Sequence, residues 1–233
     1  MKKILKILLC IVLVFLAISS IYIYKGYKMY KNALDDCSIT EKVKSIKTQE
    51  SYSKIENLPK TYINAVIAVE DHRFYEHHGI DIIAINRAIL HDIKNKNLNE
   101  GGSTITQQLA KNIYFTQEKK LERKIAEMFM AFKLEKGLEK DEILELYLNT
   151  SYFGRGYYNI KDASNGYFNK EPDQMNDYES TLLAGIPNAP SIYSNNDELA
   201  HQRQNQVLDQ MVKYEYITED EKEIILSSSK ETS

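Results

Sequence analysis

Residues 7–24, from Ile7 to Tyr24, form an apolar run of 18 positions without a charged residue. That length is just sufficient to cross a bilayer as a helix, so the run reads as a transmembrane anchor. Lys2, Lys3 and Lys6 precede it and Lys25, Lys28 and Lys31 follow, so flanking charge does not decide its orientation. Tyr22 and Tyr24 stand where an interfacial aromatic belt lies. Ala17-Ile18-Ser19 offers a small-residue cleavage site, but the apolar run continues past it, which favours a retained anchor over a cleaved leader. Leu9 before Cys10 is not small, which argues against a lipid-modified cysteine.

The rest of the chain has a different charge character. Residues 1–31 carry six lysines and no acid, leaving 24 basic against 33 acidic residues beyond them. So acidic a body argues against nucleic acid as a partner. Cys37 is the only cysteine outside the apolar run, so the body is expected to hold no internal disulfide. About 200 residues can bury one substantial core. With no Trp, the 17 Tyr and 7 Phe supply its large side chains.

Helical periodicity dominates from Tyr62 onward, and the four prolines, at 59, 172, 187 and 190, interrupt no long periodic run. No strand-type alternation or internal repeat is visible. The expected organisation is a cytoplasmic tail at 1–6, an anchor at 7–24, a polar stalk or linker at 25–54, a mainly α catalytic domain at 55–215 and a polar tail at 216–233.

Five segments carry chemistry. In Ile63–Phe74, apolar residues 63, 66 and 67 make a helical stripe that Glu70 continues. A carboxylate on a core-facing stripe is costly unless paired or functional, and burial is one way enzymes tune a general base. The alternative is a helix-end glutamate paired with Arg73. His72, His77 and His78 have no cysteine beside them, and a histidine ordering the helix end is a simpler reading than a metal site. In Glu100–Lys111, Gly101 and Gly102 precede Ser103 and Thr104, and Thr104 with Gln107 fits a capping box. Gln108 and Lys111 follow on the first turns. This reads either as a capped helix after a tight turn or as a cradle for an anionic ligand. Arg123, Lys124 and Glu127 sit at helical spacing inside an apolar stretch. They form either a surface ion pair or two cations suited to a diphosphate. Lys140–Asn149 is a helix before Phe153-Gly154-Arg155-Gly156; because that glycine pair follows a helix, not a strand, a dinucleotide fingerprint is rejected. Glu179–Tyr193 is a helix stopped by Gly185 and two prolines.

In this order the five segments resemble glycosyltransferase family 51, the peptidoglycan glycosyltransferases, found as monofunctional enzymes and as the first catalytic domain of class A penicillin-binding proteins. The resemblance is to a monofunctional member and covers residues from about 55 to 212. Its Glu-Asp-x-x-Phe-x-x-His pattern falls on Glu70, Asp71, Phe74 and His77, and its Gly-Gly-Ser-Thr-Ile-Thr-Gln-Gln pattern on 101–108. Its Arg-Lys-x-x-Glu pattern falls on Arg123, Lys124 and Glu127, its Ile-Leu-x-x-Tyr-Leu-Asn pattern on 143–149, and its Leu-Ala-Gly-x-Pro-x-Ala-Pro run on 183–190. Three positions depart. Asn159 stands where the family often has a glycine, and its tolerance of positive φ is expected to preserve a turn. Ala126 stands where many relatives carry a basic residue, and Asn195 where a proline is common.

The resemblance implies a lysozyme-like helical lobe with a smaller membrane-proximal lobe, and polymerisation of lipid II on the extracytoplasmic side of the cytoplasmic membrane. The implied reaction inverts the anomeric centre, forms a β-1,4 bond and releases polyprenyl diphosphate. Glu70 and Glu127 are the implied catalytic residues, Glu70 as base and Glu127 holding the cations or touching the donor. Asp71, Phe74, Ser103, Thr104, Gln107, Gln108, Lys111, Arg123 and Lys124 are the implied substrate-binding set. The sequence requires no cofactor and shows no protein metal cage; some members bridge the diphosphate with a divalent cation, Mg or Mn. Implied partners are lipid II, the growing glycan strand, membrane lipid and other wall-synthesis proteins. Ile113, Tyr114 and Phe115 are candidates for lipid contact, with core packing as the alternative. A lysozyme-like hydrolase and a non-catalytic wall-assembly scaffold are the rival readings; the cationic segments argue against the first and the intact glutamates against the second. Ser227-Ser-Ser-Lys230 matches Ser-x-x-Lys and is expected to be a chance match in a polar stretch.

Overall fold

A computed structural model describes residues 2–95, 102–116, 118 and 120–228. Among them the protein is helical, with no strand. The anchor helix α1 (Lys2–Asp36) is far longer than its apolar run, and its first two-thirds are bare: Ile7 is 61% and Phe15 67% exposed. Such exposure of a strongly apolar helix is what a lipid environment compensates.

The folded body has two groups of helices sharing one core. In the first, α3 (Lys60–Glu70), α9 (Asp177–Gly185) and α11 (Asp197–Lys213) pack on one another. In the second, α5 (Ile105–Tyr114) lies between α6 (Leu121–Glu135) and α7 (Lys140–Leu148), and α6 also receives the end of α1. Tyr62, Phe74, Tyr147 and Phe153 are the bulkiest buried side chains, filling the place a tryptophan would take. The carboxyl end of α3 and the amino end of α5 face each other where the two groups meet.

The expected stalk at 25–54 is not a loose linker. The chain continues as α1 to Asp36, then forms α2 (Ile39–Lys47), started by a Ser38–Glu41 capping box, and buries Val43 and Ile46 in the core. Three lysines and several hydroxyls obscured a stripe with only two buried apolar residues. At 216–233, residues Glu219–Ser227 form helix α12 behind a Thr218–Glu221 capping box, and its Ile225 joins the core. Lys230, the second half of the Ser-x-x-Lys match, lies outside the described residues.

Candidate active site at the meeting of α3, α5 and α11

Glu70 ends α3, and its side chain remains only 8% exposed because α11 covers it. Its Oε2 accepts a 2.7 Å hydrogen bond from Gln108 Nε2, and Gln108 Oε1 accepts in turn from the Tyr147 hydroxyl at 3.3 Å. Glu70 Oε1 is buried without a hydrogen-bond partner; the nearest cation is Arg203 Nη2 at 3.8 Å. Arg73, the partner expected from sequence spacing, turns instead to Asp81, donating at 2.8 and 2.9 Å. The α3 helix breaks at Asp71, so residue 73 no longer follows Glu70 on one helical face.

Glu70 opens into a cleft of about 630 Å³, lined also by Ser103, Gln108, Lys111, Asn188, Arg203 and Tyr214. Four of the predicted binding residues therefore line it, Asp71 beside Glu70, and Ser103, Gln108 and Lys111 from around the start of α5. Burial pushes the Lys111 ammonium below its ordinary value, with Glu127 opposing that shift and Arg123 and Lys124 reinforcing it. On α6, Glu127 is 1% exposed and holds both Arg123 and Lys124, the latter at 3.1 Å. Lys124 Nζ donates to Ser103 Oγ at 2.6 Å, tying this cation cluster to the cleft wall. Ala126, beside Glu127, is wholly buried and does not line the cleft.

Four predicted binding residues serve the frame. Phe74 is fully buried in the core. Asp71 accepts from His77 Nε2 at 2.9 and 3.0 Å and from the Ile105 amide at 3.0 Å. Thr104 and Gln107 form the expected capping box, and the Thr104 hydroxyl also donates to Gly79 O at 2.7 Å. Consequently two amides of the first turn of α5, those of Ile105 and Gln107, are engaged within the protein. His77 Nε2 bonds Asp71, the residue that ends α3, so this histidine orders the helix end. Glu100 and Gly101 lie outside the described residues. Ile113, Tyr114 and Phe115 pack on the core. Asn159 is extended, at φ −156°, and caps helix α8 (Ile160–Phe168); the left-handed turn belongs to Gly154, Arg155 and Gly156.

The sequence reading missed α11. Arg203, Gln206, Gln210 and Lys213 all line the cleft. Their spacing of three, four and three places them along one helix face, separate from the stripe of buried Ala200, Gln204, Val207 and Met211. That polar stripe was the available signal. Gly185 gives Arg203 its room, since a Cβ there would come within 2.8 Å of Arg203 Cγ.

The profile of the family described as Transglycosylase matches residues 38–212. The chain belongs to the Transglycosylase family. The match begins just before α2 and includes every cleft residue named above except Lys213 and Tyr214. Among similar Transglycosylase relatives, penicillin-binding protein 1F of Bacillus subtilis (strain 168) is 53% identical over 140 residues, 60% of this chain and 20% of that protein. Penicillin-binding protein 1A of Vibrio cholerae is 46% identical over 172 residues, covering 72% of this chain and 21% of the relative. That of Aquifex aeolicus is 44% identical over 174 residues, or 74% and 24%. The chain thus spans about a fifth to a quarter of the length of these relatives.

Proposed function

We propose that this protein is a peptidoglycan glycosyltransferase that extends glycan strands from lipid II. Glu70 carries the reading: a carboxylate lining a cleft that Lys111, Arg203 and Lys213 also line, with one oxygen, Oε1, buried and without a hydrogen-bond partner. Gln108 and Tyr147 fix the carboxylate through its other oxygen. Glu70 takes the proton of the acceptor GlcNAc 4-hydroxyl as that oxygen attacks C1 of the donor sugar. The C1–O bond to the diphosphate breaks with inversion, and polyprenyl diphosphate leaves with the bonding electron pair. A base so placed contributes about 10²–10⁴-fold.

The leaving group needs charge stabilisation more than a proton. Lys111 supplies a desolvated ammonium at the cleft, and Lys124 and Arg123 supply a cationic wall behind Ser103. Glu127 holds those two cations in place. The carboxylates lining the cleft are Glu70, placed here as the base, and Asp71, committed to His77 and Ile105; the other polar groups are mainly amides and cations, a poor donor set for a resident divalent cation. A hydrolase needs no such cations. With α1 as the anchor, the catalytic body stands on the extracytoplasmic face, where lipid-linked disaccharides are consumed.

A lipid II polymerisation assay on the full chain tests this. The wild type is expected to make long glycan, Glu70→Gln to lose about 10²–10⁴-fold in turnover with its helical content unchanged, and Lys124→Ala to weaken donor use. Polymerisation by Glu70→Gln at the wild-type rate removes Glu70 from the base role; release of short fragments from existing glycan favours the hydrolase.

A further inference from the structure

The apolar run explains why α1 enters a membrane; it does not explain why the helix continues unbroken to Asp36 and lies along α6. Gly26, two residues past the run, is buried against α6. A Cβ there would fall 2.6 Å from Ile125 Cγ2 and 2.9 Å from the Glu122 carbonyl oxygen, so the helices meet at a separation that only glycine permits. On one side of the crossing Lys25 approaches Glu122 at 3.7 Å. Beyond it Tyr27 and Tyr30 enclose the Phe129 ring, with centroids at 5.4 and 5.8 Å.

Glu122, Ile125 and Phe129 therefore form the face of α6 that meets the anchor. Arg123, Lys124 and Glu127 lie on the other side, roughly half a turn away at about 3.6 residues per turn. One helix thus carries the anchor on one face and the cation cluster on the other. A tilt of α6 at the first face moves Lys124 relative to Ser103 at the second.

We propose that Gly26 is a positioning residue: by allowing the anchor to close onto α6, it sets the cation cluster against the cleft wall, making α1 a structural part of the site as well as a tether. The diphosphate role of that cluster rests on the function proposed above; the seating of α6 by Gly26 does not.

The test uses the full chain in lipid nanodiscs. Gly26→Val should raise amide hydrogen exchange across residues 121–135 while leaving α9 and α11 protected. Gly26→Ala, whose lone Cβ meets Ile125 Cβ at 2.7 Å and the Glu122 carbonyl oxygen at 2.9 Å, should raise it by a smaller margin than Gly26→Val. Unchanged exchange in α6, loss of protection throughout the body, or an alanine variant that exchanges faster than the valine variant would each overturn the proposal. Inorganic pyrophosphate binding, measured by calorimetry on the same samples, should weaken roughly tenfold in Gly26→Val and by less in Gly26→Ala. If the wild type itself fails to bind pyrophosphate, the leaving-group assignment is at fault, and the exchange data still decide the role of Gly26.

Discussion

Lys111 reaches the cleft from the second turn of α5, where burial makes its positive charge unfavourable to the fold. Its depressed pKa means that the folded state binds the proton less tightly than the unfolded chain. The destabilisation is fully present below the depressed value and is relieved as pH rises through it toward the ordinary 10.5. Lys111→Met should therefore raise stability at neutral pH, by about 0.5–2 kcal/mol, and remove this rise on the alkaline side. It should also lower polymerisation by roughly 10²–10³-fold, the scale of losing one preorganised charge-stabilising group. Thermal unfolding across pH, beside turnover, checks both; a variant less stable than wild type at pH 7 refutes the assignment. Glu70 and Lys111 were legible in sequence because each broke a local pattern, a carboxylate on an apolar stripe and a cation beside a glycine loop. Arg203 broke none, since it lies in a helix already rich in Gln, Asn and charge, and only packing across Gly185 places it beside Glu70.

At the level of the element, the helix starts were the most readable part of the chain, because a capping box is local chemistry. Thr104 with Gln107 forms as expected, and the box, together with Asp71, fixes the loop that carries Ser103 to the cleft. Thr104→Ala should cost about 1–2 kcal/mol from the lost cap, and Thr104→Ser should recover much of it, as read from urea unfolding. Asp71→Ala should be more damaging than a ligand-contact residue would be. It strips the buried His77 ring and the Ile105 amide of their acceptor, at about 1–3 kcal/mol for each group left unsatisfied. An Asp71→Ala protein with wild-type melting and impaired substrate binding alone would return Asp71 to the ligand. Sequence spacing could not separate these roles, because the motif joins Asp71 to Glu70 by adjacency while the fold turns them to different neighbours. The α2 helix was unreadable for another reason: its buried stripe is two residues long, and periodicity needs more turns than that to stand out.

Over the whole molecule, one core cluster runs from Val43 in α2 to Ile225 in α12, so both segments expected to be accessory belong to the same cooperative body. Long-range assembly of this kind is not written in any local pattern; α12 reads as acidic and polar, with Glu219, Asp220 and Glu221 in its first turn. Its attachment rests on Ile225, 6% exposed, on the partly buried Leu226, and on Lys222 donating to Asp209 of α11 at 2.6 Å. The exposed ion pair adds little, so burial of Ile225 carries most of the effect. Full burial of an isoleucine stabilises by about 1.5–3 kcal/mol. For a body of this size that corresponds to roughly 3–12 °C in melting temperature. A chain ending at Ile217 should therefore melt lower by that margin while keeping its cleft, because α12 supplies none of the cleft residues. Ile225→Ala in the full chain should reproduce much of the loss, and Lys222→Ala little of it. Melting unchanged on truncation would show that α12 rests on α9 and α11 without stabilising them, and would restore residues after 217 to the status of a dispensable tail.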